Sequence, residues 1–402
     1  MATTKVTNSV VDFNATGSTK SLKLPSGNAF SGTPEEGMIR NDNSGPDTVM
    51  QFYNGTAWIN LGNSEPTTGW VVVGGGTNDV VYSSDGVTWK AATAPSIFST
   101  AEFVAVGKDG SGNRRWIAAG GGSNTIAVSS DGITWSGIGS PGPTTEGSCV
   151  SYTEDASGNP LWLSGGRDPN PVFGSIYASS NGTSWTRRTS GTFLQHGGAV
   201  NGVFEIARGE DGSGNPLWVA TGANRIGTST DSITWTMNSY QFSIQARTVA
   251  YGEDGSGNGL WVVGGYDSTN SIATSSNGTT YTGRGKPVIT TVVNCVTWGE
   301  DGSGNGLWVA GGGSSGDVLM KSSDGINWTA ITFSGFNGGV NFIAWNGSLW
   351  VAVGEGSGTG NESIATSSDG TNWTSIAGSS TLMATAYGVA SFPAPELYPP
   401  QT

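Results

Sequence analysis

Charged side chains are scarce in this sequence, as are the residue types on which metal sites and disulfides depend. Only 12% of the 402 residues are charged, and the chain has one histidine, His196, and two cysteines. Cys149 and Cys295 lie in apolar runs (GSCVSY and VNCVTW), which favours buried free thiols over a disulfide framework. The sequence therefore offers no zinc cluster and no His-based metal site, and we predict neither a metal nor another cofactor.

Long apolar runs and an excess of basic residues are also missing. No apolar stretch reaches the length of a membrane span, and the opening MATTKVTNSV lacks a basic, hydrophobic leader. Lys and Arg number 17 against 30 Asp and Glu, a net charge of −13 that repels phosphate backbones and anionic bilayers. We expect a soluble chain that folds in a cytoplasm, without nucleic-acid binding or membrane insertion.

Glycine and tryptophan are abundant instead. The chain contains 66 Gly and 16 Trp, too many aromatic residues for disorder and too many glycines for a helical protein. Trp, Val, Thr and Tyr suit a pleated and half-buried surface, and glycine supplies turns that need positive φ. The composition indicates an all-β protein.

One seven-residue corner recurs along the chain at a nearly constant interval. Its copies read SSDGVTW, SSDGITW, SSNGTSW, STDSITW, SSNGTTY, SSDGINW and SSDGTNW, and their closing aromatic residues are 46, 50, 50, 46, 47 and 45 residues apart. A second tryptophan, in runs such as GWVVVGGG and LWVAGGG, precedes the closing aromatic residue of every corner by 17–23 residues. Two features that agree in seven copies identify an array of structural repeats.

Each repeat holds four short β-type runs, here called strands A, B, C and D, as in TVAYGE, LWVVGG, SIATSS and TTYTG. Four strands at this interval are typical of one blade of a β-propeller, with a solenoid or β-helix as the alternative. The first repeat begins at Trp70 with strand B, and an A-like run, TAYGVASF, lies at 385–392. We therefore predict an all-β fold, a seven-bladed β-propeller of four-stranded blades over residues 70–392, closed by a C-terminal strand that completes the first blade.

The recurring corner suits a tight turn between strands C and D. Its Asp caps the turn amides, its Gly accepts a left-handed backbone, and its aromatic ring is expected between neighbouring blades with the indole N–H bonded to the turn. These structural residues are Asp85, Trp89, Asp131, Trp135, Asn181, Trp185, Asp231, Trp235, Asn277, Tyr281, Asp324, Trp328, Asp369 and Trp373.

The corner resembles the Asp-box repeat of sialidase-like propellers. It departs from that pattern by one residue fewer before the aromatic, by Asn at Asn181 and Asn277, and by Ser232 in place of Gly. The resemblance implies a fold element that lies away from any active site.

The charged residues bear on two further possibilities, a catalytic site and a calcium site. Sialidases use three arginines, a Tyr/Glu pair and an Asp, and no spacing in this chain singles out such a set. The repeated EDGSGN segments place oxygen atoms at alternate positions, as a calcium loop does, but Pro160 and Pro216 replace the following glycine in two copies and the distal Glu is missing. We predict plain turns between strands A and B, with calcium as the alternative, and a protein that is not an enzyme.

The turns between A and B and between C and D fall on one face of an up-and-down propeller, where they are uniform. The opposite face carries the B–C and D–A connections, which differ in every repeat, and variable loops on a rigid scaffold often bind ligands. The candidate binding residues on this variable face are Arg167, Asp168, His196, Arg225, Tyr266, Asp267 and Phe336. The alternative is that these loops vary because nothing constrains them.

The first 62 residues lack the repeat and form a predicted N-terminal module, followed by a linker at 63–69; residues 393–402 form a tail. Residues 24–62 contain GMIRN and YNGTAW and resemble a small module of bacteriophage tail fibres and other virion proteins. The resemblance implies attachment to other virion proteins, trimers or other homo-oligomers, and assembly into a virion in the bacterial host cytoplasm. We predict a non-enzymatic virion protein whose propeller binds a host-surface glycan. The alternatives are a capsid or tail decoration protein with a purely structural propeller, a lectin-like protein and a divergent glycosidase.

Overall fold

The computed structural model describes residues 68–392, except 95, 156, 170–171, 189–201, 223–224, 239–244, 314–317 and 357–360, together with three short strands nearer the N-terminus. For those three strands and for residues 169, 172–174 and 238, only the backbone is described. The chain divides into two compact units, Met1–Pro66 and Thr67–Thr402. The predicted linker at 63–69 spans this division, and the predicted tail at 393–402 lies outside the described residues.

The first unit contains an antiparallel three-stranded sheet in the order of the sequence. Its strands are β1 (Ile39–Asp42), β2 (Val49–Tyr53) and β3 (Trp58–Asn60). The YNGT part of the segment that resembles virion modules thus connects β2 to β3.

The second unit consists of seven four-stranded antiparallel blades, two of which are joined by a single pairing between Glu146 and Gly121. Blade 1 contains β4 (Trp70–Gly75), β5 (Val80–Ser83) and β6 (Trp89–Ala91), and its fourth strand is the last strand of the chain. Blade 2 contains β7 (Thr100–Lys108), β8 (Arg114–Gly121), β9 (Ile126–Ser129) and β10 (Ser136–Gly137). Blade 3 contains β11 (Glu146–Glu154), β12 (Pro160–Pro169), β13 (Val172–Ser179) and β14 (Thr186–Arg187). Blade 4 contains β15 (Val203–Glu210), β16 (Pro216–Gly222), β17 (Arg225–Ser229) and β18 (Thr236–Asn238).

The remaining blades follow the same order. Blade 5 contains β19 (Gln245–Glu253), β20 (Gly259–Tyr266), β21 (Ile272–Ser275) and β22 (Thr282–Gly283). Blade 6 contains β23 (Val293–Glu300), β24 (Gly306–Gly312), β25 (Leu319–Ser322) and β26 (Thr329–Ile331). Blade 7 contains β27 (Val340–Trp345), β28 (Trp350–Gly354), β29 (Ile364–Ser367) and β30 (Thr374–Ser375). A short helix, α1 (Ser379–Leu382), precedes the closing strand β31 (Thr385–Ser391). Within the described residues, no helix is long and apolar enough to span a membrane.

The ring closes as the sequence predicts. Strand β31 pairs antiparallel with β4, from Thr385 opposite Gly75 to Ser391 opposite Trp70. The A strands contact one another in a closed circle, in which β31 lies between β27 and β7. The prediction of a closed β-propeller is confirmed, and an open solenoid is excluded because its terminal strands would not meet.

The seven tryptophans of the B strands fasten neighbouring blades together, a role that the sequence did not reveal. All of them are at most 1% exposed. In four, the indole N–H donates to the carbonyl at the end of an A strand in the preceding blade, over 2.8–2.9 Å: Trp162 to Lys108, Trp261 to Glu210, Trp308 to Glu253 and Trp350 to Glu300. In these four blades the buried indole satisfies both its N–H and a strand-end carbonyl, whereas the indole N–H groups of Trp116 and Trp218 have no hydrogen-bond partner in the described part of the chain.

The recurring corner is a network of short hydrogen bonds, shown here for blade 1. One carboxylate oxygen of Asp85 accepts from the amides of Val87 (2.8 Å) and Thr88 (2.7 Å) and from the Ser83 hydroxyl (2.9 Å). Trp89 donates its indole N–H to the carbonyl of Gly86 at 2.9 Å. Gly86 has a φ of 77°, and a side chain at this position would collide with Leu349 of the preceding blade. The corner thus packs its backbone directly against the neighbouring blade.

Replacing a corner aspartate with alanine is expected to destabilise the propeller by about 2 kcal/mol, because several bonds to one charged acceptor are lost. Asp324 is a suitable position: it accepts from the amides of Ile326 and Asn327 at 2.8 and 2.7 Å. Asp324→Asn is the matched control, because Asn181 and Asn277 accept the equivalent bonds in two other corners. Urea unfolding at pH 7 should show a clearly smaller loss for Asn than for Ala. Equal losses would contradict this account of the corner.

The same aspartates make the fold sensitive to acid. Partial burial opposes ionisation of Asp324, but the Asn327 amide and the other donors around it lower its pKa to about 2, from 3.8. A carboxylate with a lowered pKa stabilises the folded state above its unfolded pKa, and this contribution disappears as the pH falls towards 2. Corners with Asn do not titrate in this range.

Candidate functional site

The uniform turns share one face of the propeller. The A–B turn of one blade lies beside the corner of the next, so that Gly255 is adjacent to Asp324, and Gly302 to Asp369. In the A–B turns the Asp side chain is occupied by its own turn: one Asp254 oxygen accepts from the amides of Ser256 (2.8 Å) and Asn258 (2.9 Å). Among the described residues, no group of three or more His, Cys, Asp or Glu side chains is arranged to hold a metal ion.

Two of the candidate residues on the variable face belong to blade 3. Arg167 donates to Glu146 over 3.0 Å and remains partly exposed. Asp168 is 6% exposed and accepts hydrogen bonds from Thr144, Ser175 and Tyr177. The segment 165–175, predicted as a loop, is largely the continuation of β12 and β13, which remain paired as far as Pro169 and Val172. Asp168 therefore braces this long hairpin.

The other candidates are dispersed over further blades. Arg225 begins β17, and Tyr266, which is 40% exposed, lies against the Lys286 ammonium group at 5.5 Å. Asp267 is buried and accepts from Ser268 and Thr269 in its own loop. Phe336 is 8% exposed and packs edge-on against Phe333, so it belongs to the core. His196 lies outside the described residues. The candidates thus do not form one cluster.

A different set of side chains surrounds the mouth of the central channel on the variable face. Each A strand loses its register with the B strand at the same place, because one extra residue forms a β-bulge near the start of the strand. Bulges re-aim side chains and are frequent next to binding sites. The seven bulge residues, here called the bulge ring, are Tyr387, Glu102, Ser148, Phe204, Arg247, Asn294 and Asn341.

The bulge ring differs at nearly every position, although the strands that carry it are repeats. Several members reach across to the next blade: Arg247 donates to the Asn294 side chain at 3.1 Å. Asn294 donates to the carbonyl of Val340 at 3.0 Å, and Asn341 donates to that of Ala386 at 2.9 Å. The ring presents amide, guanidinium, hydroxyl, carboxyl and aromatic groups on rigid strands.

Two carboxyl groups lie side by side at this mouth. Burial is the main reason that the pKa of Glu102 rises to about 8, and a hydrogen bond with Glu146 adds to the effect. Arg167 donates to the carboxylate of Glu146 at 3.0 Å, and its positive charge partly opposes the rise in the pKa of Glu102. Burial, Glu102 and Glu355 together raise the pKa of the Tyr387 phenol.

The channel beneath the ring encloses a cavity of about 270 Å³. Its wall is mostly apolar. Five blades place alanine at the same level of the A strand, namely Ala105, Ala207, Ala250, Ala344 and Ala390. Rings from Phe103 and Phe342, which meet edge-on at 4.7 Å, line the part nearer the mouth. Glu205 also lines the channel, and burial raises its pKa to about 7.

The blades, the closed ring and the open channel mouth define a β-propeller, and comparisons with solved structures agree with this class. A protein from Lactobacillus plantarum has a TM-score of 0.54 and 11% identity, over 80% of this chain and 98% of that one. An α-L-arabinofuranosidase from Fusarium graminearum has a TM-score of 0.42 and 12% identity, over 69% and 93% of the two chains. Virginiamycin B lyase from Staphylococcus aureus has a TM-score of 0.46 and 12% identity, over 70% and 85%. No protein-family model matches the sequence, and no curated protein matches it either.

The prediction that the chain is not an enzyme is wrong. It was drawn from the lack of a spacing that singles out a sialidase-like catalytic set, but structures similar to this one include an arabinofuranosidase and a lyase. A propeller need not repeat its chemistry in every blade, because a site at the axis takes each group from a different blade. The bulge ring has this property, and Glu102 and Glu146 come from two successive blades.

Proposed function

We propose that the propeller binds a glycan at the bulge ring, on the variable face. The observation that carries this proposal is that seven bulges occur at equivalent positions while their side chains differ. Positions that serve only the fold are occupied by similar residues in every repeat, as the B-strand tryptophans are. The ring combines donors, acceptors and the exposed Tyr387 ring, which suits the hydroxyl groups and apolar faces of sugars.

The N-terminal unit supports a proposal about context. Its sequence resembles modules of bacteriophage tail fibres, and we propose that it attaches the chain to a virion, with the propeller turned to the host surface. Several copies on one particle would raise the avidity above the affinity of a single weak site. The resemblance of the recurring corner to the Asp-box of sialidase-like propellers also remains a prediction.

The expected result on a glycan array is selective binding that depends on the bulge ring. Arg247→Ala combined with Tyr387→Ala should weaken binding by about tenfold or more, because hydrogen bonds to a charged group and an aromatic contact are lost. Ser303→Ala, on an exposed A–B turn of the opposite face, is the control and should bind as the unaltered chain does. Undiminished binding by the double variant, with an unchanged melting curve, would refute the ring as the site.

Particle association is tested separately. Deleting residues 1–62 should abolish association with virions and leave glycan binding intact. If the deletion removes glycan binding while the propeller still melts normally, the two roles have been assigned to the wrong units. Retained association with the particle would overturn the proposal that these residues attach the chain.

A second candidate function is hydrolysis of the bound glycan. It is favoured by Glu102, which burial and the neighbouring Glu146 keep protonated at neutral pH, the state required of a general acid. The two carboxyl groups share a hydrogen bond and are therefore closer than the separation of about 5 Å or more used by glycosidases, so Glu102 would need another carboxylate as its partner. Release of reducing ends by the unaltered chain, lost in Glu102→Gln while binding persists, would support this function. No release would exclude it.

A further inference from the structure

Glu205 is the acidic residue in the wall of a mostly apolar channel, to which Arg208, farther along the same strand, also contributes. Its carboxyl group accepts from the Val249 amide at 2.9 Å and from the Thr248 hydroxyl, both in the next blade. The Thr248 oxygen in turn accepts from the amide of Val296 at 3.0 Å. Within the described part of the chain, none of the ion pairs involves Glu205. Its carboxyl group therefore lines the channel without an ion-pair partner among the described residues.

The bonds that Glu205 makes do not require a charge. Glutamine at this position would accept the same amide, and its own N–H₂ group would bond the Thr248 oxygen. A carboxylate is the less stable choice here, because burial opposes its ionisation and raises its pKa to about 7. A residue that lowers stability, and whose contacts another residue could make equally well, is a candidate for a functional role.

The remaining walls indicate what else the channel accepts. One layer deeper than Glu205, the alanine level leaves open space. Beyond it the cavity is lined by the rings of Tyr152, Tyr251, Trp298 and Trp345 and by Arg208, whose guanidinium group lies over the Trp218 ring at 5.2 Å. Among the polar lining groups, Thr297 donates to the Ile343 carbonyl at 2.7 Å, whereas the Tyr152 hydroxyl has no hydrogen-bond partner among the residues that the structure describes. Water has few partners in such a space, whereas apolar groups and cations both interact well with aromatic rings.

We propose that the channel binds an organic ammonium ion with an apolar substituent. The ammonium group is placed at Glu205, near the mouth, and the substituent lies between the alanine level and the aromatic rings. The cavity of about 270 Å³ restricts the substituent to a short chain or a single ring. This inference is independent of the glycan proposal, because it uses the interior of the channel and not the bulge ring.

Binding is expected to increase with pH until Glu205 is fully ionised. Two thiols are coupled to the Glu205 charge, namely Cys149 on the neighbouring strand β11 and Cys295 on β23, two blades away, and burial is the main reason that the pKa of both thiols is raised. Both remain neutral in the range where Glu205 titrates, so the pH dependence of binding reports on this carboxyl group.

The test uses three probes of one length, namely hexylammonium, 1-hexanol and hexanoate, with calorimetry at pH 8 on the full chain. Hexylammonium should bind most tightly and lose about tenfold or more in affinity in Glu205→Gln, whereas hexanol should bind more weakly and be unaffected. Ala250→Leu should weaken the binding of every probe, because the leucine side chain fills the channel. If this variant does not fold, Ala105→Val, which adds a smaller side chain, is used in its place. Ser303→Ala is again the control.

Two results would overturn the proposal. Equal affinity for hexylammonium and hexanol, unchanged in Glu205→Gln, would mean that the carboxyl group does not select a cation. No measurable binding of hexylammonium by the folded chain would mean that the channel is not a ligand site. A negative result on the glycan array does not change the interpretation of this experiment, because the array tests the bulge ring and not the channel.

Discussion

A chain that ends at Ala384 is expected to lose its cooperative unfolding transition. Removing β31 takes away the A strand of blade 1 and leaves one edge of β4 unpaired, including its fully buried valines Val71, Val72 and Val73. It also separates blade 7 from blade 2, because β31 contacts both β27 and β7. The loss is comparable to the whole net stability of a typical domain, about 5–15 kcal/mol.

Thermal melting followed by circular dichroism measures this effect, and a chain that ends at Phe392 is the control. The control retains the hydrogen bond from the Phe392 amide to the Gly69 carbonyl at 2.7 Å. Adding a peptide of residues 385–392 to the shorter chain should restore part of the transition, since an edge strand accepts an added strand. A shorter chain that melts within a few degrees of the control would show that closure contributes little.

The fold was predictable because every repeat forms its blade with similar residues at equivalent positions. The turn at Asp85 and the buried Trp70 recur in recognisable sequence, and the displaced A strand at 385–392 is visible as a copy without a partner. The contacts between blades were less accessible. The hydrogen bond from Trp261 to the Glu210 carbonyl joins residues 51 positions apart, and no local sequence pattern predicts it.

The candidate site was predicted less well, and the reason is strand register. Arg247 belongs to the bulge ring because pairing between β19 and β20 shifts between Ala246 and Thr248. Such a shift depends on both strands and leaves no mark on either alone. A signal was nevertheless present: when the A strands are aligned, the bulge position carries Tyr, Glu, Ser, Phe, Arg, Asn and Asn in turn.

Loop position was a poor guide to exposure. Phe336 lies in a D–A connection, yet this connection folds inward and the ring joins the core between blades 6 and 7. Asp168 lies between two strands in the sequence, but the strands extend past it and its carboxyl group is taken up by Thr144, Ser175 and Tyr177. Variability of sequence therefore distinguishes one face of the propeller from the other without showing which residues on that face are exposed.

Replacing Glu205 with glutamine is expected to stabilise the propeller at pH 8 by up to about 3 kcal/mol and to change little at pH 5. The pKa of Glu205 rises from 4.5 to about 7 because burial disfavours its charge. The folded chain therefore keeps this proton where the unfolded chain has lost it. The resulting stabilisation is complete below pH 4.5 and is lost as the pH rises through 7. Glutamine does not titrate and retains the bond from the Val249 amide, so its advantage grows over the same interval.

Urea unfolding at pH 5 and pH 8 measures this difference, with Glu154→Gln, an exposed carboxyl group at the end of a strand, as the control. The control should change little between the two pH values. Destabilisation of the Glu205 variant by the same amount at both would mean that its bonds to blade 5 require the carboxyl group whether or not it is charged, and the residue would then be structural. A gain confined to high pH would instead show that the ionised form is retained at the expense of stability, as expected for a group whose charge awaits a cationic ligand in the channel.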